Sequence, residues 1–249
     1  MQIRSKTALI TGSATGIGKA IALGLAREGA NVVINYSRSR EEAEATLAEV
    51  ENCGGSGWIA QADVSDNDQV VRMVQASLGR FGRIDILVNN AGTTDFVPLE
   101  DLDGLLDAYW DRALGVNVKG MFHTSRACAD ELRKNKGCII NITSIAGFNG
   151  AGSSIAYAAS KAAGISITKS FARVLAPDVR VNAIAPGIVI TRWVDGQEEH
   201  IQKYSDKTPL GRPAYPEDVA DMTIAIIRDG NFMTGQTIVV DGGWSLSSS

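Results

Sequence analysis

Tyr157 and Lys161 stand four residues apart, a spacing that puts both side chains on one face of a helix. A phenol titrates near ~10 when unperturbed, too high for easy proton exchange at neutral pH. A neighbouring ammonium favours the phenolate and lowers that value, so the pair has the makings of an acid/base. The same pair also suits the edge of a packed helix. A second stretch with chemistry in it is Lys6 to Leu25, KTALITGSATGIGKAIALGL, in which the apolar run Ala8-Leu9-Ile10 passes into a glycine-punctuated loop. Ile17, Ile21 and Leu25 then carry a helical pattern. Gly12 can take positive φ in that turn, and Gly16 and Gly18 are expected to let a bulky anion reach the helix's N-terminal amides. The chemistry implied is pyrophosphate binding, with a purely structural turn as the alternative.

The elements that must hold these residues alternate along the chain. Strands are predicted at Asn31 to Tyr36, Gly57 to Gln61, Ile84 to Asn89, Cys138 to Thr143, Val179 to Ala185 and Thr237 to Val240. Helices are predicted at Glu41 to Cys53, Asn67 to Leu78, Leu105 to Lys134, about Ser154 to Leu175 and Glu217 to Arg228. Such alternation means an α/β fold: a Rossmann-like, doubly wound parallel sheet of about seven strands with helices on both faces. Ligands on such sheets bind at the carboxyl ends of the strands, where the strand order reverses. Residues just after strands therefore become candidates, and Ser144, after the fifth strand, is among them.

After the second strand the chain reads Tyr36-Ser37-Arg38-Ser39-Arg40, without the carboxylate that would hold a ribose 2′-hydroxyl and repel a 2′-phosphate. Arginine grips a phosphate through paired charge-assisted hydrogen bonds, so the reading is NADP(H), with NAD(H) the alternative and Ser37 and Arg38 the phosphate contacts. A solvated basic loop is the competing reading. Asp63 could accept from an adenine amino group while Val64 packs on the ring, or Asp63 could cap a turn. Asn89-Asn90-Ala91-Gly92 offers small residues for backbone approach and amides that tie strands together.

Taken jointly, these motifs resemble the compact single-domain branch of the short-chain dehydrogenase/reductase family. The resemblance rests on the loop Thr11-Gly12-Ser13-Ala14-Thr15-Gly16-Ile17-Gly18, Asp63-Val64, Asn89-Asn90-Ala91-Gly92, Asn117, Ser144, Tyr157-Ala158-Ala159-Ser160-Lys161 and Pro186-Gly187-Ile188-Val189-Ile190-Thr191. It implies that Tyr157 is general acid in reduction and base in oxidation, and that Ser144 bonds the substrate oxygen. It further implies that Lys161 lowers the Tyr157 pKa, aided by a cationic nicotinamide, and holds the ribose, while Asn117 positions a relay water. Asn117, flanked by Gly115 and Gly120, could otherwise mark a helix kink. Val189 and Thr191 would anchor the carboxamide. The expected cofactor set is Gly12, Thr15, Gly16, Ile17, Gly18, Tyr36, Ser37, Arg38, Asp63, Val64, Asn90, Ala91, Gly92, Tyr157, Lys161, Pro186, Gly187, Val189 and Thr191.

Within the family, the closing Thr234-Gly235-Gln236-Thr237 and the Asn35 to Ser39 segment look like 3-oxoacyl-(acyl-carrier-protein) reductases. Lys134 and Lys136 could meet an acidic carrier, which Asp178 would oppose. A small carbonyl or secondary alcohol is preferred as substrate, with the carrier-bound acyl group as runner-up and a catalytically silent cofactor sensor as the reading of another class. The family also implies a lid over the substrate at about 190–210, where Trp193 and Tyr204 could face substrate or pack the lid, and further candidates are Thr94, Phe96, Phe148 and Ser154. A homotetramer is implied, with Trp244 and Leu246 near another subunit.

No linker or repeat divides the 249 residues, so residues 1–249 are read as one domain. A formal net charge of -4 argues against nucleic acid or an anionic membrane as main partner. Cys53, Cys128 and Cys138 have no metal-ligand spacing, and their odd count suggests reduced thiols; no metal is expected. With no signal-like N-terminus and no membrane span in the sequence, a cytoplasmic protein is expected.

Overall fold

In a computed structural model of the chain, which describes residues 1–194, 196 and 198–247, seven parallel strands form one sheet. They are β1 (Thr7–Ile10), β2 (Asn31–Tyr36), β3 (Ser56–Gln61), β4 (Ile86–Asn89), β5 (Cys138–Ile142), β6 (Arg180–Pro186) and β7 (Thr237–Val240), in the order β3-β2-β1-β4-β5-β6-β7. The chain leaves β1 toward one edge and crosses to β4 on the other side, so the order reverses between β1 and β4. That reversal opens a crevice above their carboxyl ends.

Period-two alternation sorts the buried side chains into two layers. Val33, Leu9, Leu87, Ile139 and Val181 lie side by side across five strands in register, all pointing to one face. There they meet α3 (Asn67–Phe81), α5 (Met121–Asn135) and α7 (Ile155–Leu175). Their neighbours Ile10, Ile34, Val88 and Ile140 point the other way, onto α1 (Gly16–Arg27), α2 (Arg40–Asn52) and α9 (Pro216–Asp229). Each such side chain contributes about 1.5–3 kcal/mol on burial, which is why both faces of the strands read as continuously apolar.

The long helix expected over 105–134 is interrupted. It consists of α4 (Asp107–Ala113), a π-helical segment (Leu114–Gly120) and α5. At the end of that segment Gly120 packs so closely that an added Cβ would lie 2.6 Å from Val64 Cγ2. Four short pieces lack a prior expectation as helices: α6 (Ala146–Asn149), a 3-10 turn (Arg192–Val194), α8 (Glu198–Lys207) and α10 (Trp244–Ser247). Three of them are only one turn long, and α8 is half charged residues with few apolar ones, so each is a weak signal along the chain. Asp195 and Gln197 of the expected lid lie outside the described residues. Among the described residues no helix is long and apolar enough to cross a membrane. Cys128 and Cys138 are buried filler and Cys53 is exposed, all three unpaired.

Candidate active site

The glycine loop is held from three strands. Thr11 Oγ1 accepts from the Asn90 and Ala91 amides at 3.0 Å each, and Asn90 Nδ2 donates to Thr11 O and Gly12 O at 2.9 Å. From β2, Asn35 Oδ1 accepts from Gly12 N at 3.0 Å while its Nδ2 donates to Ala62 O at 3.0 Å. Gly12 and Gly16 take φ of +61° and +57°, the left-handed region that glycine enters at little cost. Thr15 precedes α1 without a side-chain capping bond, and no acidic residue stands in the first turn. The amides and the positive end of the helix dipole are thus available to an anion.

Gly18 has a different reason for being bare. A Cβ there would meet Gly12 O at 2.7 Å and Ser13 Cα at 2.8 Å, besides Asn90 Nδ2. It is a packing glycine, pressing α1 onto its own loop, rather than an opening for a ligand. Thr11, Ser13 and Asn35 carry the loop, a side-chain role that the motifs containing them do not reveal. Their signal was polarity inside otherwise apolar buried strands, since buried polar groups need designated partners.

Past the loop, Tyr36, Ser37, Arg38 and Ser39 line the crevice together with Asp63 and Val64. Arg38 has no ion-pair partner among the described residues, whereas Arg40 pairs with Glu44 at 2.9 Å. Asp63 Oδ1 accepts from Ser65 N at 2.9 Å and Ser65 Oγ at 2.6 Å, so it does shape a turn, at the crevice wall.

At the other end of the same crevice stand Ser144, Tyr157 and Lys161. Ser144 follows β5, and its Oγ accepts from Ala146 N at 3.1 Å. Ser154 caps α7 by accepting from Tyr157 N at 3.2 Å, which fixes where the helix begins and hence where Tyr157 and Lys161 face. Lys161 Nζ donates to Ile142 O at 3.0 Å and lies 5.5 Å from the centre of the Tyr157 ring. The expected lowering of the phenol is not what the protein alone produces. Burial pushes Tyr157 up to about 12 against the smaller downward pull of a hydrogen bond with Ser144. Burial likewise pushes Lys161 down to about 8. Both shifts have one cause: a poorly solvated wall disfavours whichever form is charged.

Asn117 sits in the middle of the π-helical segment, so the kink expected of it is present. Its side chain is fully engaged: Nδ2 donates to Thr93 O at 3.0 Å and Ser160 Oγ at 2.9 Å, and Oδ1 accepts from Thr93 N at 2.8 Å. It is a strut between the segment after β4 and α7. An added Cβ on Gly92 would lie 3.5 Å from Asn117 Oδ1, 3.6 Å from Lys161 Nζ and 3.6 Å from the Trp193 ring, so bare backbone separates these three groups.

Pro186, Gly187, Val189 and Thr191 line the crevice on the β6 side. The two lid aromatics part company. Trp193 meets the Tyr157 ring edge-on, with centres 6.4 Å apart, whereas Tyr204 is buried and stacks on Trp244 at 5.3 Å. Trp244 thus supports Tyr204 of α8 from within the same chain. Thr94 and Phe96 line the crevice, but Phe148 and Ser154 do not: Phe148 is 56% exposed, and Ser154 is spent on the helix cap. Residues not expected there are Arg112, which pairs with Asp95, and Ser153, which bonds Thr94; Arg192, from the segment expected over the substrate, also lines the crevice. The crevice has a volume of about 1380 Å³, enough for a ligand reaching from the glycine loop to Tyr157.

Comparison with known proteins agrees with this arrangement. A family model described as enoyl-(acyl carrier protein) reductase matches residues 12–245. The chain is 38% identical over 247 residues to a 3-oxoacyl-(acyl-carrier-protein) reductase, FabG, of Staphylococcus aureus, covering 96% of this chain and 98% of the relative. It is 39% identical over 251 residues to a 3-oxoacyl-(acyl-carrier-protein) reductase of Synechocystis, covering 97% of each. A solved mutant of a Serratia marcescens short-chain dehydrogenase/reductase superposes with a TM-score of 0.90 at 33% identity, over 98% of this chain and 100% of that one. The chain belongs to the short-chain dehydrogenase/reductase family, as an oxidoreductase acting on a carbonyl or CH–OH group.

Proposed function

We propose that the protein uses NADP(H) to interconvert a carbonyl and a secondary alcohol on a small molecule, with Tyr157 as the acid/base. One observation carries the reading: a single crevice runs from uncapped helix amides and an unpaired arginine, Arg38, to Ser144, Tyr157 and Lys161. A dinucleotide phosphate matches that sequence of groups. The pyrophosphate would meet the α1 amides, the 2′-phosphate Ser37 and Arg38, and the nicotinamide the Pro186 to Thr191 side, with Val189 and Thr191 at its carboxamide.

When bound, the nicotinamide supplies or accepts the hydride equivalent. Tyr157, kept neutral by burial, holds a proton ready for the oxygen of a carbonyl undergoing reduction. Ser144 donates to the same oxygen as charge develops on it. Lys161, buried beside the phenol ring, keeps its ammonium in place through Ile142 O and holds the ribose. Asn117 acts as a positioning residue, keeping Thr93 and Ser160 fixed around this group. In the reverse direction the same phenol, once deprotonated, accepts the proton of the alcohol, and burial favours its neutral form at neutral pH.

The names of the relatives favour a second substrate reading, a 3-oxoacyl group on an acyl carrier protein. Lys134 is already paired with Glu131, which leaves Lys136 as the freer cation of the two. We also propose a cytoplasmic homotetramer, which sedimentation of a monomer at micromolar concentration would contradict. The central test is NADPH oxidation with a panel of free ketones and 3-oxoacyl thioesters, comparing wild type with Tyr157→Phe. Loss of turnover by a factor of ~10² or more is expected. Equal turnover by the two proteins would remove Tyr157 as proton donor.

A further inference from the structure

Arg192 comes from the opposite wall of the crevice to Arg38. It lies on the 3-10 turn after β6, yet its guanidinium reaches the segment after β2, with Nη1 3.3 Å from Ser39 Oγ and 3.9 Å from Glu42 Oε1. Ser37, Arg38, Ser39 and Arg192 line the crevice together. The Glu42 contact is at the long limit for an ion pair, and both side chains are about half exposed, at 54% and 49%. Such pairs stabilise a fold very little. A long side chain that spans a ligand crevice for so small a return points to a ligand as its purpose.

The chemistry of that ligand follows from its neighbours. Arg38 is without a carboxylate partner among the described residues, Ser37 and Ser39 supply hydroxyls, and Arg192, at Ser39 Oγ, adds a second guanidinium to the same stretch of the crevice. A phosphate monoester carries close to two negative charges and three acceptor oxygens, so it binds two guanidinium groups far better than one exposed carboxylate binds either. The next residue on the same turn is Trp193, whose ring stands edge-on to Tyr157 at 6.4 Å. One short turn therefore touches both the segment after β2 and the reacting end of the crevice.

We propose that Arg192 is a second ligand for the cofactor's 2′-phosphate, and that by engaging it Arg192 fixes Trp193 over the carbonyl site. This rests on the NADP(H) reading. The phosphate takes Arg192 from Glu42, and the turn then holds Trp193 against the substrate. Arg192 is a specificity-determining and positioning residue, and Glu42 is its competitor.

The test separates binding from turnover by calorimetry with adenosine 2′,5′-bisphosphate and 5′-AMP. Arg192→Ala is expected to weaken the bisphosphate roughly tenfold or more and leave 5′-AMP unchanged, with part of the loss recovered in Arg192→Lys. Glu42→Gln is expected to tighten the bisphosphate alone. Equal weakening of both nucleotides, or of neither, by Arg192→Ala overturns the phosphate contact. Arg38→Ala run in parallel tells which idea has failed: if it is selective while Arg192→Ala is not, NADP(H) stands and Arg192 falls. If neither variant is selective, the NADP(H) reading falls with it. For the link to Trp193, the carbonyl KM of wild type should be lower with NADPH than with NADH, and Arg192→Ala should equalise them at little change in kcat. Equal wild-type KM values would overturn the link.

Discussion

Alanine at position 18 distinguishes two reasons for a glycine in the phosphate-binding turn. Were the position bare only so that an anion could approach, Gly18→Ala would stabilise the ligand-free protein, because alanine exceeds glycine in a helix by about 1 kcal/mol. The packing around it predicts the opposite sign. The new methyl would stand 2.7 Å from Gly12 O and 2.8 Å from Ser13 Cα, main-chain atoms that cannot rotate away. Overpacking of this kind costs about 1–3 kcal/mol. Displacing Asn90 Nδ2, the third atom in the way, forfeits its 2.9 Å bonds to Thr11 O and Gly12 O, about 0.5–1.5 kcal/mol each. Set against the propensity gain, the net loss is about 1–5 kcal/mol. In a chain of this size each kcal/mol lowers Tm by about 2–4 °C. Calorimetry of the ligand-free variant should therefore show a lower Tm, and NADPH titration a weaker Kd because the loop has moved. A Tm equal to or above wild type would refute the packing argument and restore the ligand-approach reading.

Three further outcomes follow from the same geometry. Since Lys161 is held at about 8, its ammonium is intact below that pH and lost above it. Reductive kcat/KM should fall about tenfold per unit above pH 8, a limb that Lys161→Arg removes by keeping its charge; persistence of the limb in that variant would assign it to another group. Asn117→Ala gives up three hydrogen bonds and frees Thr93, so Tm and kcat should both fall, by about 1–3 kcal/mol in stability. An unchanged urea midpoint and an unchanged Tm would show that the strut carries no load. Trp244→Ala removes the ring under Tyr204, the α8 residue that lines the crevice and packs at Gly187, well away from the glycine loop; carbonyl KM should rise by roughly tenfold with the cofactor Kd unchanged. Matching losses in both constants would mean that Trp244 supports the whole sheet edge instead.

Much of this molecule was legible along the chain because its signals are local. Alternating apolar runs and 3.6-residue periods set strands and helices to within a few residues, and the β1-to-β4 crossover made the carboxyl edge the place to inspect. The four-residue spacing of Tyr157 and Lys161 and the glycine turn are likewise short-range properties. Boundaries were less legible where the third dimension intervened, as at Gly120, whose contact with Val64 accompanies a π-helical turn inside what reads as one helix.

Amino-acid order by itself determined the sheet, the turn, the helix that carries Tyr157 and Lys161, and the family to which they belong. Packing alone decided what each group does there. Burial against several elements raises the Tyr157 phenol, where spacing to a lysine suggested lowering it. Contacts between residues far apart in the chain turn Gly18 into a packing position and Asn117 into a strut, stack Tyr204 on Trp244, and bring Arg192 across to Ser39. Solvation and long-range contact are properties of assembled walls, and no spacing within one segment encodes them.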